Sequence, residues 1–599
     1  MCGIAGFADY SNRVSEQFLN ESTELLKHRG PDDSGTFYHK NDSLLIGLGN
    51  TRLAIIDLSL NGHQPFKSPC SNYVLVFNGT IYNYKELKLE LQQRGIEFNS
   101  DSDTEVLLQT YIYWQDDFLQ KLNGIFAFSI FDKKKNKLIL CRDKIGVKPL
   151  FYYFDNNTLI FGSELRVFIK QNIFPVEIDQ SSLNQYLQYA YFPRCQTILK
   201  NVRKVNPGQI ISLDLSTKSL ESKFYWRLNA NLSSNLPSTI DLEFLHQKLL
   251  TSIKSRLTAD VPAGILLSGG YDSSTVAAIA QRCSSYRLKT FTIGFNEAGY
   301  NEASEAEKIA NYIGTEHYSL FFDNDSIKDL ITTVGKTFDE PMGDSGAIPL
   351  LLAAKLAKEH VKVVLSAEGG DELFGGYSSY FKALNLSPLS GYIPKRIAVN
   401  RYANILSQKN SFEVYRAIGM YFTEAEANLL TNVNVLSSVN TYSPNGDKLN
   451  QLLNFDLQNY LPNDLLMKAD RSMMHYGLEN RDPLLDTALV EYITALPGII
   501  KCPNQNAKAL LKQIAYKYIP KALLDRPKKG FSMPVGKWLS QNLNAFSEEK
   551  IRHLSQRGIL DGNYIMKTYQ RFKNKPESYY SRQIWILLAF ELWMEEWID

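Results

Sequence analysis

Apolar runs of strand length punctuate the N-terminal part of the chain. Val74-Leu75-Val76-Phe77 is one, and Thr51-Arg52-Leu53-Ala54-Ile55-Ile56-Asp57 predicts another that begins with a cation. Ser102-Asp103-Thr104-Glu105 opens a helix expected from Val106 to Tyr113, where Asp103 suits a cap or a substrate ammonium. Ser212-Leu213-Asp214-Leu215 reads as a last strand of this part, and Lys223-Phe224-Tyr225-Trp226 as another. Asn229 to Thr239 is rich in Asn, Ser and Pro and reads as a linker. Leu242, Leu245, Leu249, Ile253 and Leu257 then recur at helical spacing. Beyond them strand and helix alternate. Ile265 to Leu267, Lys289 to Phe295 and Val361 to Leu365 predict strands, and Asn301 to Ile313 a helix. That order predicts a parallel sheet with helices on both faces.

A chain of 599 residues exceeds the usual size of one core, so two or more domains are expected. The 65 basic and 63 acidic residues leave a formal charge of +2, which gives no support for a nucleic-acid or membrane surface. Cysteines stand singly at 2, 70, 141, 195, 283 and 502, without CxxC spacing, so neither a zinc site nor a disulfide framework is implied. No run of about 18 apolar residues predicts a membrane span, and no signal peptide is expected. A cytoplasmic, reducing compartment is the default.

The stretch from Val261 to Ser274 carries the densest chemistry. It reads as a buried strand, a turn at Gly269-Gly270 and a helix start. Without Cβ, the two glycines let the backbone approach a ligand and take positive φ. Ser273 or Ser274 is expected to cap the helix that follows. A helix N-terminus after a strand presents N–H groups to an anion. Asp272 among those donors calls for a cation, and a metal riding on a phosphate would supply one. No Gly-Lys-Ser/Thr follows, so this is not a Walker loop. Two glycines alone would be an ordinary βα turn. With Ser268, Asp272, Ser273 and Ser274 in register, the spacing resembles the loop of the ATP pyrophosphatase superfamily, which cleaves ATP between the α- and β-phosphates.

The chain begins Met1-Cys2-Gly3-Ile4-Ala5-Gly6-Phe7. Loss of Met1 would give Cys2 an α-amine with a pKa of about 7.7 beside a thiol of about 8.5, so one residue would hold both nucleophile and base. Alone, Cys2 reads equally as a buried structural thiol. Further stretches join it: His28-Arg29-Gly30-Pro31-Asp32, the Arg52 strand, Asn78-Gly79-Thr80, Asp103, Arg142-Asp143 and Gly162-Ser163-Glu164. Asn78 and Gly79 at a strand end can hold an oxyanion, although Asn-Gly is also the strongest short hairpin signal. Arg52 reads also as a surface ion pair, and Arg142 with Asp143 as a structural one.

Residues 2 to about 210 resemble the class II glutamine amidotransferase domain, an αββα sandwich of N-terminal nucleophile type. The resemblance implies that Cys2 attacks the glutamine amide and that Asn78 and Gly79 hold the oxyanion. Arg52 would bind the glutamine α-carboxylate and Asp103 its α-amine, with the main chain of Leu53 and Ile55 lining the pocket. The family usually reads Asn-Gly-Glu where this chain has Asn78-Gly79-Thr80, so altered pocket contacts are expected.

Downstream, Val361 to Leu365 runs into Ser366-Ala367-Glu368-Gly369-Gly370-Asp371-Glu372. Such acids at a strand's carboxyl end suit a ligand site, and Asp371 with Asp272 could share Mg²⁺. Lys468 to Met474, Gly477 to Asp486, Asn506 to Lys512 and Arg526 to Phe531 follow. Together with the central loop, these resemble the synthetase domain of glutamine-dependent asparagine synthetases, an α/β doubly wound parallel sheet with extra helices. The division expected is 2–215 for the amidotransferase domain, 216–239 for a linker and 240–599 for the synthetase domain.

That resemblance implies that Leu267, Ser268, Gly269, Gly270, Asp272, Ser273, Ser274, Ile293, Ser366 and Ala367 contact ATP, and that Asp272 and Asp371 hold Mg²⁺. Glu368 would serve as a base for ammonia, and Lys508 would stabilise charge on the α-phosphate. Tyr271 and Ala367 depart from the family loop. The substrates implied are glutamine, ATP and a carboxylate, most simply aspartate. Asp339 to Pro349, and Arg481, are expected near that acceptor. Rival readings are the same chemistry on a cell-wall precursor or surface sugar acid, a glutaminase with a dead second half, and a non-catalytic regulator. Oligomeric state is not readable from the residues; the resemblance points to a homodimer.

Overall fold

The structure, a computed structural model, describes residues 2–171, 173–228, 240–295, 302–322, 327–392, 401–435, 446–526 and 533–599. The strands in chain order are β1 (Cys2–Asp9), β2 (Asp33–Lys40), β3 (Leu45–Arg52), β4 (Phe66–Lys67), β5 (Tyr73–Ile81), β6 (Gly124–Asp132), β7 (Lys137–Arg142), β8 (Phe151–Phe154), β9 (Thr158–Gly162), β10 (Val202–Lys204), β11 (Gln209–Asp214) and β12 (Leu220–Phe224). They form two antiparallel sheets, ordered β10-β8-β9-β1-β3-β2 and β12-β11-β7-β6-β5-β4. Ile4 and Ala8 of β1 meet Val74, Val76 and Ala127 between the sheets. Ala5 and Phe7, one residue out of phase, face Phe18 and Leu19 of helix Glu16–Leu25. Both faces of β1 are therefore covered, which explains a strand without polar alternation. Helices Tyr84–Gln93 and Asp103–Trp114 cover the outer face of the second sheet, completing an αββα sandwich.

The second half is built on a parallel sheet of β13 (Ala263–Leu266), β14 (Lys289–Phe295), β15 (Glu316–Phe322), β16 (Val363–Leu365) and β17 (Glu479–Arg481), ordered β15-β14-β13-β16-β17. Helices Leu242–Arg256, Tyr271–Cys283 and Ala303–Ile313 pack on one face. Helices Ala347–Lys358 and Leu466–Met474 pack on the other. Strand order reverses between β13 and β16, so the loops after these two strands flank the switch point where open α/β sheets bind ligands. The C-terminal helix Tyr580–Trp597 docks back through Trp593 Nε1–H to the Asp339 carbonyl and Trp597 Nε1–H to the Gly335 carbonyl, each 2.9 Å.

Several local expectations need correction. The strand predicted through Asp57 stops at Arg52, because the Arg52 guanidinium folds the chain back by binding the Ile56, Asp57 and Ser59 carbonyls. Asn78 and Gly79 form no hairpin turn; they lie inside β5, opposite Ala127 and Phe126 of β6. The helix of the central loop starts at Tyr271 behind Gly270, so Ser273 and Ser274 sit in its first turn instead of capping it. Ser102, not Asp103, caps its helix by accepting the Thr104 N–H. Arg142 and Asp143 attract each other without forming a direct salt bridge. Arg142 donates to the Gly146, Lys148 and Val205 carbonyls, and Asp143 accepts the backbone N–H groups of residues 145 to 148. The strand expected at Lys223 to Trp226 is β12, which pairs with β11 in the first half. The linker at Asn229 to Thr239, the first residue of the helix expected from Asn301, and Pro527 to Phe531 lie outside the described residues.

Candidate active sites

Cys2 opens β1 and lies opposite Arg52 of β3. Its N–H donates to Asn78 Oδ1 at 3.0 Å. Asn78 is 0% exposed, and its Nδ2 has no hydrogen-bond partner among the described residues. A buried amide donor without a partner costs about 1–3 kcal/mol, which an oxyanion in the pocket would recover. Gly79 must be glycine, since a Cβ there would stand 2.1 Å from the Ile125 carbonyl oxygen. Burial pushes the Cys2 thiol up; the charge at the start of the chain, the Leu53 N–H and Arg52 pull it down. Asp103 is buried, and burial with the nearby Glu479 raises it to about 7, against the Ile81 N–H, Arg481 and Arg52. Leu53 and Ile55 are buried beside this pocket, and the Ile55 carbonyl already accepts the Asp260 N–H at 2.9 Å.

In the second half, the Ser268–Gly270 loop folds on itself. Ser268 N–H donates to Ser273 Oγ at 3.2 Å, and Gly270 N–H to Ser268 Oγ at 3.3 Å. Gly269 takes φ +73°, and its carbonyl accepts Arg526 at 2.9 Å. Ser274 is fully buried with its hydroxyl unpartnered among the described residues. Leu267 donates its N–H to the Phe291 carbonyl at 2.9 Å, and Ile293 lies further along the same strand, β14. Ser366 and Ala367 follow β16, at the other side of the switch point.

Lys508 brings the two loops together. Its ammonium contacts the carboxylates of Asp272 and Asp371, from the first and second loop respectively. The two acids hold its pKa above the ordinary lysine value, against the opposing effect of burial. Two carboxylates converging on one cation fit a hard divalent ion, with Lys508 standing in that position. Glu368 is raised to about 7 by burial, with Asp482, Asp371 and Asp344 adding to it and Lys468 opposing. A carboxylate poised there suits general-base work at neutral pH.

Tyr271, where the sequence departs from the family loop, opens the helix behind Gly270. Its hydroxyl engages Asp525 and Tyr516, at the edge of an open pocket of about 630 Å³ that Lys512, Lys521 and Arg526 also line. The segment Asp339 to Pro349 has two settings. Asp344 pairs with Lys468 beside Glu368, whereas Asp339 accepts the Leu165 N–H and pairs with Arg471 at the contact between halves. Arg481 is fully buried against Glu479 and Tyr82 near the Cys2 pocket.

The family models for "Glutamine amidotransferase domain" and "Asparagine synthase" match residues 1–226 and 245–595. The chain is 32% identical to "Asparagine synthetase [glutamine-hydrolyzing] 1" of Bacillus subtilis (strain 168), across 99% of this chain and 96% of that one. It belongs to the glutamine-hydrolysing asparagine synthetase family. A "Putative asparagine synthetase [glutamine-hydrolyzing]" of Mycobacterium tuberculosis (strain ATCC 25618 / H37Rv) is also 32% identical, across 99% and 97%. "Amidase chry2" of Gibberella zeae is 25% identical across 98% of each chain. The chain is thus an ATP-using ligase of the asparagine synthetase type with a glutamine amidotransferase half. Among its described residues, no helix is long and apolar enough to cross a membrane.

The contact between synthetase and amidotransferase halves is charged and buried. Arg29 joins Glu164 to Asp470 at 2.6 and 2.8 Å and donates to the Cys2 carbonyl at 3.2 Å. In the sequence, Arg29, Glu164 and Asp470 stand only within separate short motifs. No local signal in the sequence marks Glu479 as a neighbour of the Cys2 pocket.

Proposed function

We propose that the chain makes asparagine from aspartate, with glutamine as nitrogen donor and MgATP as activator. The observation that carries this reading is the convergence of Asp272, Asp371 and Lys508 at the switch point, in a chain whose other half sets Cys2 beside Asn78. In the first half, with Met1 removed, the Cys2 sulfur attacks the glutamine amide carbon. Asn78 Nδ2 and the Gly79 N–H receive the oxyanion. Arg52 and Asp103 hold the α-carboxylate and α-ammonium. Ammonia leaves with a proton relayed by the α-amine, and water hydrolyses the thioester to glutamate.

In the second half the Ser268–Ser274 loop cradles the phosphates, with Leu267, Ile293, Ser366 and Ala367 around the nucleotide. An aspartate β-carboxylate oxygen attacks the α-phosphorus and pyrophosphate departs, with Lys508 stabilising the charge that develops. A divalent cation between Asp272 and Asp371 would neutralise the departing pyrophosphate. Ammonia then attacks the acyl carbon, AMP leaves, and Glu368 takes the proton. A carboxylate is a poor electrophile, and the adenylate gives it a good leaving group.

Mass spectrometry of products from glutamine, MgATP and aspartate tests this. Asparagine, AMP and pyrophosphate in equal amounts are expected. Glutamate without AMP would refute aspartate as acceptor. The relative named as an amidase would then direct the search to other carboxylates.

A further inference from the structure

The Asn78–Gly79 segment is tied to the synthetase half by the residue that follows it. Thr80 is 3% exposed, and its hydroxyl donates to Glu479 Oε1 at 3.0 Å. Glu479 lies on β17 of the parallel sheet, is 1% exposed, and accepts Arg481 Nε–H on the same oxygen at 2.5 Å. Arg481 donates to the Arg256 and Thr258 carbonyls at 2.8 and 2.7 Å, which fixes it to the synthetase half.

The same short strand reaches the nucleotide loop. The Arg481 carbonyl accepts the Ser366 N–H at 3.0 Å. The next residue, Asp482, accepts the Ser366 hydroxyl and is held by Asn480 Nδ2 at 3.0 Å from each oxygen. Buried hydrogen bonds along one strand therefore connect Thr80 to Ser366.

Adhesion alone does not explain this contact. Arg29 with Asp470 and Glu164, and Arg471 with Asp339, already hold the halves together. A buried carboxylate is costly to desolvate and persists where its geometry is needed. Its hydrogen bond to the Thr80 hydroxyl is charge-assisted and so both strong and directional. The field of Glu479 also reaches Cys2 and Asp103.

We propose that Thr80 and Glu479 are positioning residues through which the state of the nucleotide loop sets the geometry of the Asn78–Gly79 oxyanion segment. The proposal rests on the function given above. Neither side chain takes part in bond making. A shift of Ser366 on nucleotide and acceptor binding moves the Arg481 carbonyl and with it Glu479; the Thr80 hydroxyl follows and re-aims the Gly79 N–H. Glutamine hydrolysis would then run fast only when the carboxylate is activated. Thermodynamic coupling of this kind is reciprocal, so glutamine would tighten nucleotide binding by the same factor.

The test uses the full-length enzyme and Thr80→Val, which removes the hydroxyl and keeps the shape. Glutaminase kcat and KM are measured with and without MgATP plus aspartate, beside ammonia-dependent AMP release. In Thr80→Val, stimulation of glutaminase kcat should fall by about tenfold, with AMP release from ammonia intact. Thr80→Ser should restore stimulation, and Thr80→Val/Glu479→Gln should be no worse than the stronger single variant. Lys362→Ala, which cuts the exposed Lys362–Asp32 pair between the halves, should leave stimulation unchanged. Full stimulation in Thr80→Val, or additive losses in the double variant, would overturn the proposal. A wild type with ammonia-dependent AMP release but unstimulated glutaminase would overturn this contact alone. Absence of AMP release with ammonia would instead mark failure of the function.

Discussion

The Lys508 ammonium lies 2.6 Å from an oxygen of Asp371 and also contacts Asp272, so one lysine neutralises an acid from each loop of the switch point. Replacing Lys508 by Met leaves two largely buried carboxylates facing each other. Breaking a buried pair in this way costs about 3–5 kcal/mol. The expected outcome is a lower Tm without metal, recovered in part by millimolar Mg²⁺, since a divalent ion can take the position the lysine leaves. Thermal unfolding with and without Mg²⁺ checks this independently of activity. A Tm indifferent to Mg²⁺ would count against metal binding by Asp272 and Asp371.

Asn78→Ala removes the unpartnered Nδ2 donor beside Cys2. Loss of one oxyanion donor lowers kcat by about 10²–10³. Glutaminase kcat should fall by that amount while glutamine KM moves little, and ammonia-dependent AMP release should persist. Parallel assays with glutamine and with ammonia measure the split.

Glu368 gives a pH prediction with two readouts. Its carboxyl is raised from the ordinary 4.5 to about 7, chiefly by burial. As a base it must be ionised, so amide formation, normalised to free ammonia, should climb through about pH 7, and Glu368→Gln should remove that limb. The stability effect has the opposite slope. The folded chain keeps a proton that the unfolded chain releases, so the stabilising contribution is full below pH 4.5 and lost as pH rises through about 7. At pH 8, Glu368→Gln should therefore be more stable than wild type by on the order of 3 kcal/mol. Denaturant titrations at two pH values test the sign.

Much of both candidate sites was legible because their chemistry lies in contiguous motifs. Cys2, Asn78-Gly79 and Ser268 to Ser274 each fit within one strand end or one turn, where spacing fixes geometry. What escaped depended on partners distant in sequence. Asn78-Gly79 has the composition of a hairpin turn, yet β6 pairs across it and keeps it in a strand. Arg142 and Asp143 look like an ion pair, but backbone groups satisfy each of them separately. Thr80 and Glu479 stand 399 positions apart, and no local pattern could have joined them. The N-terminus of the central helix departs from the expected serine cap because Ser273 bonds back to Ser268 and leaves Gly270 as the cap.

Arg29 is the remaining place where stability and activity can be separated. Its guanidinium is fully buried between Glu164 and Asp470, and it also donates to the Cys2 carbonyl. Arg29→Met removes a cation from a cluster in which Arg471 then serves Asp470, Asp339 and Glu164. The cost of uncompensated buried charge is about 3–5 kcal/mol, which lowers Tm by several degrees. Adding Asp470→Asn removes one of the stranded acids, so the double variant should be more stable than Arg29→Met alone. Activity should not recover with it. The Cys2 carbonyl still lacks its donor, so glutamine-dependent synthesis should stay depressed relative to the ammonia-dependent reaction. Recovery of both together would mean that Arg29 serves the contact between halves only, and that its bond to Cys2 contributes nothing to nucleophile placement.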